Sequence, residues 1–88
     1  MDFEWDALKD SKNFTKHGIK FSKAIELWND AGLIILPSKY PNESRYLAIG
    51  KLSSKHWTAI FAERGNVVRL ISVRRSRETE RIIYNENQ

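Results

Sequence analysis

Arginines stand at the ends of two strand-like runs, where they could bind a phosphate. Arg64 follows the run His56–Glu63, and Arg74 and Arg75 close the next run, which begins at Val67. A planar guanidinium can grip a phosphate with two hydrogen bonds. Side chains alternate between the two faces of a strand, so Arg74 and Arg75 should point apart, and we favour Arg74 as the ligand. The alternative for these arginines is a side chain that only solvates a strand end.

Three further side chains could supply acid–base chemistry. His17 follows Lys16, whose charge would lower the pKa of the imidazole and favour the neutral form that acts as a base. The alternative is a histidine that only bonds the last carbonyls of a helix. Glu63 could hold Arg64 or act as a base, unless it merely solvates the strand end. Tyr84 could donate a proton or stack on a nucleobase, unless it simply packs on a sheet.

A basic stripe precedes these residues. Lys9, Lys12 and Lys16 fall on one side of a helix of 3.6 residues per turn, with Ala7 and Phe14 opposite. Such a stripe suits contacts with a nucleic-acid backbone, which add affinity without reading sequence, although a solvated lysine face is the alternative. The other candidate RNA-binding residues are Arg69, Arg75, Arg77 and Arg81. Among the aromatics, Trp5 and Trp57 could be core residues or platforms for stacked bases.

Composition excludes several other chemistries. The 88 residues contain no cysteine, two histidines far apart in sequence and four scattered glycines, so no metal-site motif or phosphate-binding glycine loop is visible. We therefore predict no metal and no cofactor. The net charge of +4 is concentrated, because residues 11–23 hold four lysines and no acid. The longest apolar run, Leu33–Leu36, is too short to span a membrane, and the N-terminus does not resemble a signal peptide. We expect a soluble, cytoplasmic single domain over residues 1–88.

Helices are predicted before and after a block of strands. Asp6 is a good N-cap for a helix that runs to Lys16 and ends at Gly18, with the thin apolar side of Ala7 and Phe14 covering a sheet. Ser22 is a candidate N-cap for a second helix, closed by residues 30–32. Ser76 is a candidate N-cap for a third, from Arg77 to about Asn85, with Ile82 and Ile83 packed inward.

The strands supply the rest of the predicted fold. Phe3–Trp5 and Leu33–Leu36 are short candidates, and 38–44 reads as a loop. Three longer runs are rich in β-branched and aromatic residues: Arg45–Leu52, His56–Glu63 and Val67–Arg74. The expected architecture is α+β: a small antiparallel sheet of about four to five strands, with two N-terminal helices and one C-terminal helix.

The same residues carry a resemblance to a known family. The run from Phe3 to Ala24, with Trp5-Asp6, Asn13 and Lys16-His17-Gly18-Ile19, resembles the opening of the BrnT toxins. Ala48-Ile49-Gly50, Phe61-x-Glu63-Arg64-Gly65 and Val68–Arg74 resemble the central hairpin of that family, and Arg77-x-x-x-Arg81-x-x-Tyr84 resembles its closing helix. The blocks cover nearly the whole chain in the same order and spacing.

This resemblance implies a ribonuclease toxin of a type II toxin–antitoxin pair, with a fold like the RelE ribonuclease toxins. It implies a BrnA-like, DNA-binding antitoxin that sequesters the toxin, in an assembly of two toxins with two antitoxins, and operator DNA contacted only through the antitoxin. We predict metal-independent RNA cleavage through the 2′-hydroxyl, with Arg64, Arg74, His17, Glu63 and Tyr84 as catalytic candidates. The alternatives are a non-catalytic RNA- or DNA-binding module and a decayed toxin that serves only as a co-repressor subunit.

Overall fold

Five strands and three helices make up the fold in the part of the chain that the structure describes. The computed structural model describes residues 1–39 and 44–88, so the centre of the predicted loop at 38–44 lies outside the described residues. The strands are β1 (Asp2–Glu4), β2 (Ile34–Pro37), β3 (Arg45–Leu52), β4 (Lys55–Arg64) and β5 (Val67–Arg75). The helices are α1 (Ala7–His17), α2 (Phe21–Ala24), continued by a 3₁₀ helix at Ile25–Asn29, and α3 (Glu78–Glu86).

The strands form one mixed sheet in the order β1-β5-β4-β3-β2. The predicted α+β class is confirmed, but the prediction of an antiparallel sheet is wrong, because β1 pairs with β5 in parallel through Asp2↔Val67 and Phe3↔Val68. All other pairs are antiparallel. A three-residue strand carries no sequence signal for the direction of its pairing. The Phe3 ring packs edge-on against Trp28, with 5.1 Å between centroids, and so ties β1 to the core.

The helices follow the prediction only in part. Asp6 caps α1 by accepting from the N–H groups of Leu8 and Lys9, and Gly18 ends it with a left-handed φ of 74°. The second N-terminal helix is only four residues of α-helix before the 3₁₀ turn, and its cap position is Lys20, not Ser22. No helix among residues 1–39 and 44–88 is long and apolar enough to cross a bilayer.

The core lies between one face of the sheet and the N-terminal helices. The largest side chains buried there include Phe21, Leu27, Phe61, Leu70 and Val73. The other face, which we call the open face, is covered only at one end by α3. There Tyr84 is buried, whereas Ile82 is 47% exposed, so the prediction that Ile82 packs inward is wrong.

Helix α1 contacts the sheet through polar side chains, opposite to the predicted orientation. Phe14 is 48% exposed, and Asn13 is buried. The Asn13 carboxamide oxygen accepts from the Val73 N–H at 2.9 Å, and its amide donates to the Ile19 carbonyl at 3.1 Å. The pairing of β1 with β5 ends at Arg69, so the second half of β5 is a sheet edge whose N–H groups need acceptors. Asn13 meets that need.

An extra residue in β5 changes which side chains share a face. Ile60 pairs with Ser72 and Phe61 pairs with Leu70, which leaves Ile71 as a β-bulge. Arg69 and Arg74 are five residues apart and would otherwise point to opposite faces. Because of the bulge, both lie on the open face, as their partners Ala62 and Thr58 on β4 do.

Candidate active site

The open face gathers the positive charge of the sheet. Cross-strand partners share a face, so the register places Arg45, Arg64, Arg69 and Arg74 on this side. Arg75 pairs with Trp57 and lies on the helix-covered face, so the prediction that Arg74 and Arg75 point apart is confirmed.

Two shallow pockets adjoin on this face. The first, about 250 Å³, lies between α1 and β5 and is lined by Lys9, Lys12, Asn13, Lys16, His17, Ile71 and Ser72. The second, about 370 Å³, is lined by Ser38, Leu47, Ile60, Arg74, Arg77 and Glu80. They meet because Ser72 of the first is the register partner of Ile60 of the second. We call the first pocket the α1–β5 groove.

Charge distinguishes the α1–β5 groove from larger pockets elsewhere. A pocket of about 430 Å³ beside Met1 and Glu63 and one of about 580 Å³ beside Phe3 and Trp28 have no lysine, arginine or histidine among their lining residues. Three lysines line the groove, and they span about 10 Å along the axis of α1. A polyanion would therefore be drawn to the groove rather than to the larger pockets.

His17 is the imidazole that lines the groove. It ends α1 and is half-buried, and its ring makes no hydrogen bond with another described residue. Its pKa is lowered from 6.5, first by burial and then by the charges of Lys16 and Arg74. The predicted direction is confirmed, although burial contributes more than the cation that suggested it. Neutral imidazole is the form that accepts a proton.

Arg74 is held in place by a carboxylate of α3. Two of its nitrogens donate to the two oxygens of Glu80, at 2.7 and 2.9 Å, and the side chains are only 18% and 9% exposed. Burial alone would raise the pKa of Glu80, but hydrogen bonds from Arg74, the Arg77 N–H and Thr58 lower it to about 2. Arg74 is therefore fixed, with part of its fork of five N–H donors unused by Glu80.

Arg64 lies at the other end of the sheet. It is exposed at the tip of the β4–β5 hairpin, six residues along β4 from the partner of Arg74, or about 20 Å. Glu63 pairs with Val68 of the core and so points to the opposite face from Arg64, and no ion pair joins these two described residues. The structure thus brings His17 and Arg74 together but separates both from Arg64 and Glu63.

The remaining candidate cations are engaged in different ways. Arg69 pairs with Glu4 at 3.0 Å, and Arg75 lies over the Trp57 ring, 5.4 Å from its centroid. Arg81 donates to the Ser76 carbonyl at 3.0 Å. Arg77 takes the N-cap position of α3 that was predicted for Ser76, because Ser76 is buried and bonds to Thr58.

Tyr84 serves the interior. Its hydroxyl donates to Asp30 at 2.8 Å, and burial followed by this hydrogen bond raises its pKa to about 12. Asp30 in turn accepts from the Lys51 N–H at 2.8 Å, on the part of β3 that extends beyond β2. Tyr84 is therefore buried beneath α3 and lines neither the α1–β5 groove nor the pocket beside Arg74.

Sequence reasoning did not identify Glu80, which holds Arg74, or Asn13, which anchors α1 and thereby positions His17. Glu80 had a usable signal, because a glutamate three residues after a helix N-cap often accepts from the cap N–H, as it does from Arg77 at 2.8 Å. Asn13 had none, because its role depends on where β1 stops pairing with β5.

Comparison with known families gives these positions a context. No curated protein matches the chain. The model of a family described as "Ribonuclease toxin, BrnT, of type II toxin-antitoxin system" matches residues 5–80, which include His17, Arg74 and Glu80. The match confirms the resemblance seen in the sequence, and membership implies RNA cleavage and an antitoxin partner. The chain belongs to the BrnT family of ribonuclease toxins of type II toxin–antitoxin systems.

Proposed function

We propose that the chain is a metal-independent endoribonuclease whose active site is the α1–β5 groove. The observation that carries this proposal is a single juxtaposition. In a groove lined by three lysines, a histidine with a lowered pKa lies within electrostatic reach of a fixed arginine that lines the adjoining pocket. These groups can perform RNA cleavage by themselves, with the substrate's own 2′-hydroxyl as the nucleophile.

The residues divide the reaction between them. Neutral His17 takes the proton of the 2′-hydroxyl as its oxygen attacks the phosphorus. Arg74, held by Glu80, donates hydrogen bonds to the phosphorane as negative charge accumulates on its oxygens. The bond from phosphorus to the 5′ oxygen then breaks, and the Lys16 ammonium protonates that oxygen. The products are a 2′,3′-cyclic phosphate and a 5′-hydroxyl. Lys9 and Lys12 bind the flanking backbone.

Family membership also supports a proposal for the wider biology. Unopposed, the enzyme would arrest growth by cleaving RNA in the cytoplasm. A BrnA-like antitoxin would neutralise it in an assembly of two toxins with two antitoxins, and operator DNA would be contacted through the antitoxin only. Residues 1–88 would act as one BrnT-like domain, and the likeness of its fold to the RelE toxins stays a prediction.

The test is cleavage of labelled RNA in the presence of EDTA. Wild-type protein should give 2′,3′-cyclic phosphate ends, and His17→Gln should slow cleavage about 100-fold or more, the usual contribution of a general base. His56→Gln is the matched control, because His56 packs against Tyr84 away from the groove. Binding of RNA without cleavage would favour the alternative of a non-catalytic module, and cleavage that EDTA abolishes would refute metal independence.

A further inference from the structure

A second basic pocket lies beyond the end of α1, on the helix-covered face of the sheet. It is shallow, with a volume of about 240 Å³, and Gly18, Lys23, Lys55 and Trp57 are among its lining residues. None of the residues to which the proposed cleavage is assigned lines it. We call it the Trp57 pocket.

The indole of this pocket is paired with a fixed guanidinium. Arg75 lies over the Trp57 ring at 5.4 Å, and its Nε–H donates to the His56 carbonyl at 3.3 Å, which holds the group in place. Arg75 is exposed and Trp57 is half-buried. Both an indole ring and a guanidinium plane are surfaces on which unpaired nucleobases stack.

The charge around the indole also suits a nucleotide. Lys55 forms no ion pair with any described residue. The ammonium of Lys23 lies 3.0 Å from a carboxylate oxygen of Glu26, and both side chains are exposed. Arg75 adds a further positive charge. No acidic residue is among those that line the pocket. A phosphate attached to a stacked base would find cations within the same pocket.

The Trp57 pocket continues the α1–β5 groove. His17 lines the groove and Gly18, the next residue, lines the pocket. A Cβ added at Gly18 would have no heavy atom within 4 Å, so the surface between the two sites is open. Arg74 and Arg75, also consecutive, lie on opposite faces of the sheet, Arg74 in the pocket that adjoins the groove and Arg75 over the Trp57 ring.

We infer that the Trp57 pocket binds an unpaired base of the RNA strand that crosses His17, so that the substrate is single-stranded next to the cleaved bond. This inference rests on the proposed function, because the groove is taken as the place of cleavage. A base paired within a duplex cannot leave its stack to lie on the indole at no cost, and duplex RNA would therefore be a poor substrate.

Fluorescence tests the inference without altering Trp57. In a Trp5→Phe/Trp28→Phe variant, Trp57 is the sole remaining tryptophan. Titration with a mixed-sequence 2′-O-methyl RNA strand, which lacks the attacking hydroxyl, should quench its emission, and the same strand annealed into a duplex should not. Equal quenching by the duplex at the same concentration would overturn the inference.

Substitution gives an independent measurement. Trp57→Leu should weaken binding of the 2′-O-methyl strand about tenfold, the usual loss for one base stack, and Trp57→Phe should restore most of it. Circular dichroism would establish that both variants are folded. Wild-type binding by a folded Trp57→Leu would overturn the inference while cleavage by the wild type upheld the proposed function. Binding that depends on Trp57 in a protein that does not cut RNA would refute the proposed function and support the pocket.

Discussion

The two ends of the open face carry arginines in opposite physical states. At the hairpin tip, Arg64 is exposed, and its guanidinium makes no hydrogen bond or ion pair with another described residue. At the other end, Arg74 is 18% exposed and bound through two nitrogens to Glu80, which also accepts from Thr58 and the Arg77 N–H. The exposed Arg64 can attract an anion without any change in the fold. The fixed one can hold donors where charge develops during a reaction.

Residue type and position in a strand do not distinguish these two arginines. Both stand at strand ends, and both lie within the part of the chain that matches the BrnT family. They differ because Arg74 is bound by a carboxylate from another element, Glu80 of α3, which comes six residues later in the chain. We therefore propose that the end of the sheet near α3 carries the chemistry and that the hairpin tip attracts substrate.

Lysine substitutions of Arg74 and Arg64, one at each end of the open face, should differ more in their effect on kcat than any other pair of variants. Arg74→Lys keeps the charge but loses the planar fork, so kcat should fall roughly 100-fold, as when one preorganised donor is removed. Arg64→Lys should leave kcat unchanged. Single-turnover cleavage of labelled RNA measures both, with thermal unfolding as the check on folding. An equal loss of kcat in the Arg64→Lys variant would indicate that the active site lies at the hairpin tip instead.

A second prediction concerns the partner of Arg74. The pKa of Glu80 is about 2 in the folded protein against an ordinary 4.5, so its stabilisation is present above pH 4.5 and is lost as pH falls toward 2. That shift corresponds to roughly 3 kcal/mol. Glu80→Gln should remove this dependence from urea unfolding curves. Glu78→Gln, exposed in the same turn of α3, should leave it intact.

Glu80→Gln should also slow catalysis, because Arg74 depends on Glu80 for its position. With Glu80→Gln, the guanidinium loses its two-point anchor, and kcat should fall while KM stays near that of the wild type. If Glu80→Gln lowered stability but left kcat unchanged, Glu80 would only hold α3 on the sheet, and fixation of Arg74 would not matter to the reaction.

A smaller effect is expected from Arg64→Ala. An exposed phosphate contact contributes mainly through counterion release, so its loss should reduce the salt dependence of RNA binding by about 0.7 in log–log slope. Cleavage at saturating RNA should be unaffected. Lys51→Ala, exposed at the far end of β3, serves as the control. An unchanged slope in the Arg64 variant would remove Arg64 from the binding surface.

The smallest effect is a shift in pH profile. Because His17 acts as a neutral base and its pKa is lowered, kcat/KM should rise with pH and level off with an apparent pKa below 6.5. Lys16→Gln also removes the proposed general acid, so cleavage should slow, but the apparent pKa of the remaining activity should move upward because one of the charges that lower it is gone. A downward or absent shift would mean that another group titrates.

The longer strands could be predicted from the sequence, and the arrangement of the site could not. Runs of β-branched and aromatic residues placed β3, β4 and β5 to within one residue, since alternation along a strand is a local property. The inward side of α1 was mispredicted because Asn13 is buried by hydrogen bonds to a sheet edge, and periodicity counts only apolar residues. The separation of Arg64 from Arg74 depends on register, which no short stretch of sequence contains.

The bulge at Ile71 has a consequence for how the protein can change. Arg69 and Arg74 lie on the same face only because one residue between them, Ile71, has no partner on β4, so that an even number of paired positions separates them. Deletion of the bulged Ile71 would leave a regular strand in which both arginines still share the open face. A one-residue insertion between Arg69 and Arg74 that kept the single bulge would instead send one of them into the apolar interior, although every charged residue would still be present. The polarity of this face is therefore set by the parity of a residue count, and insertions in this segment should be tolerated far less than deletion of Ile71.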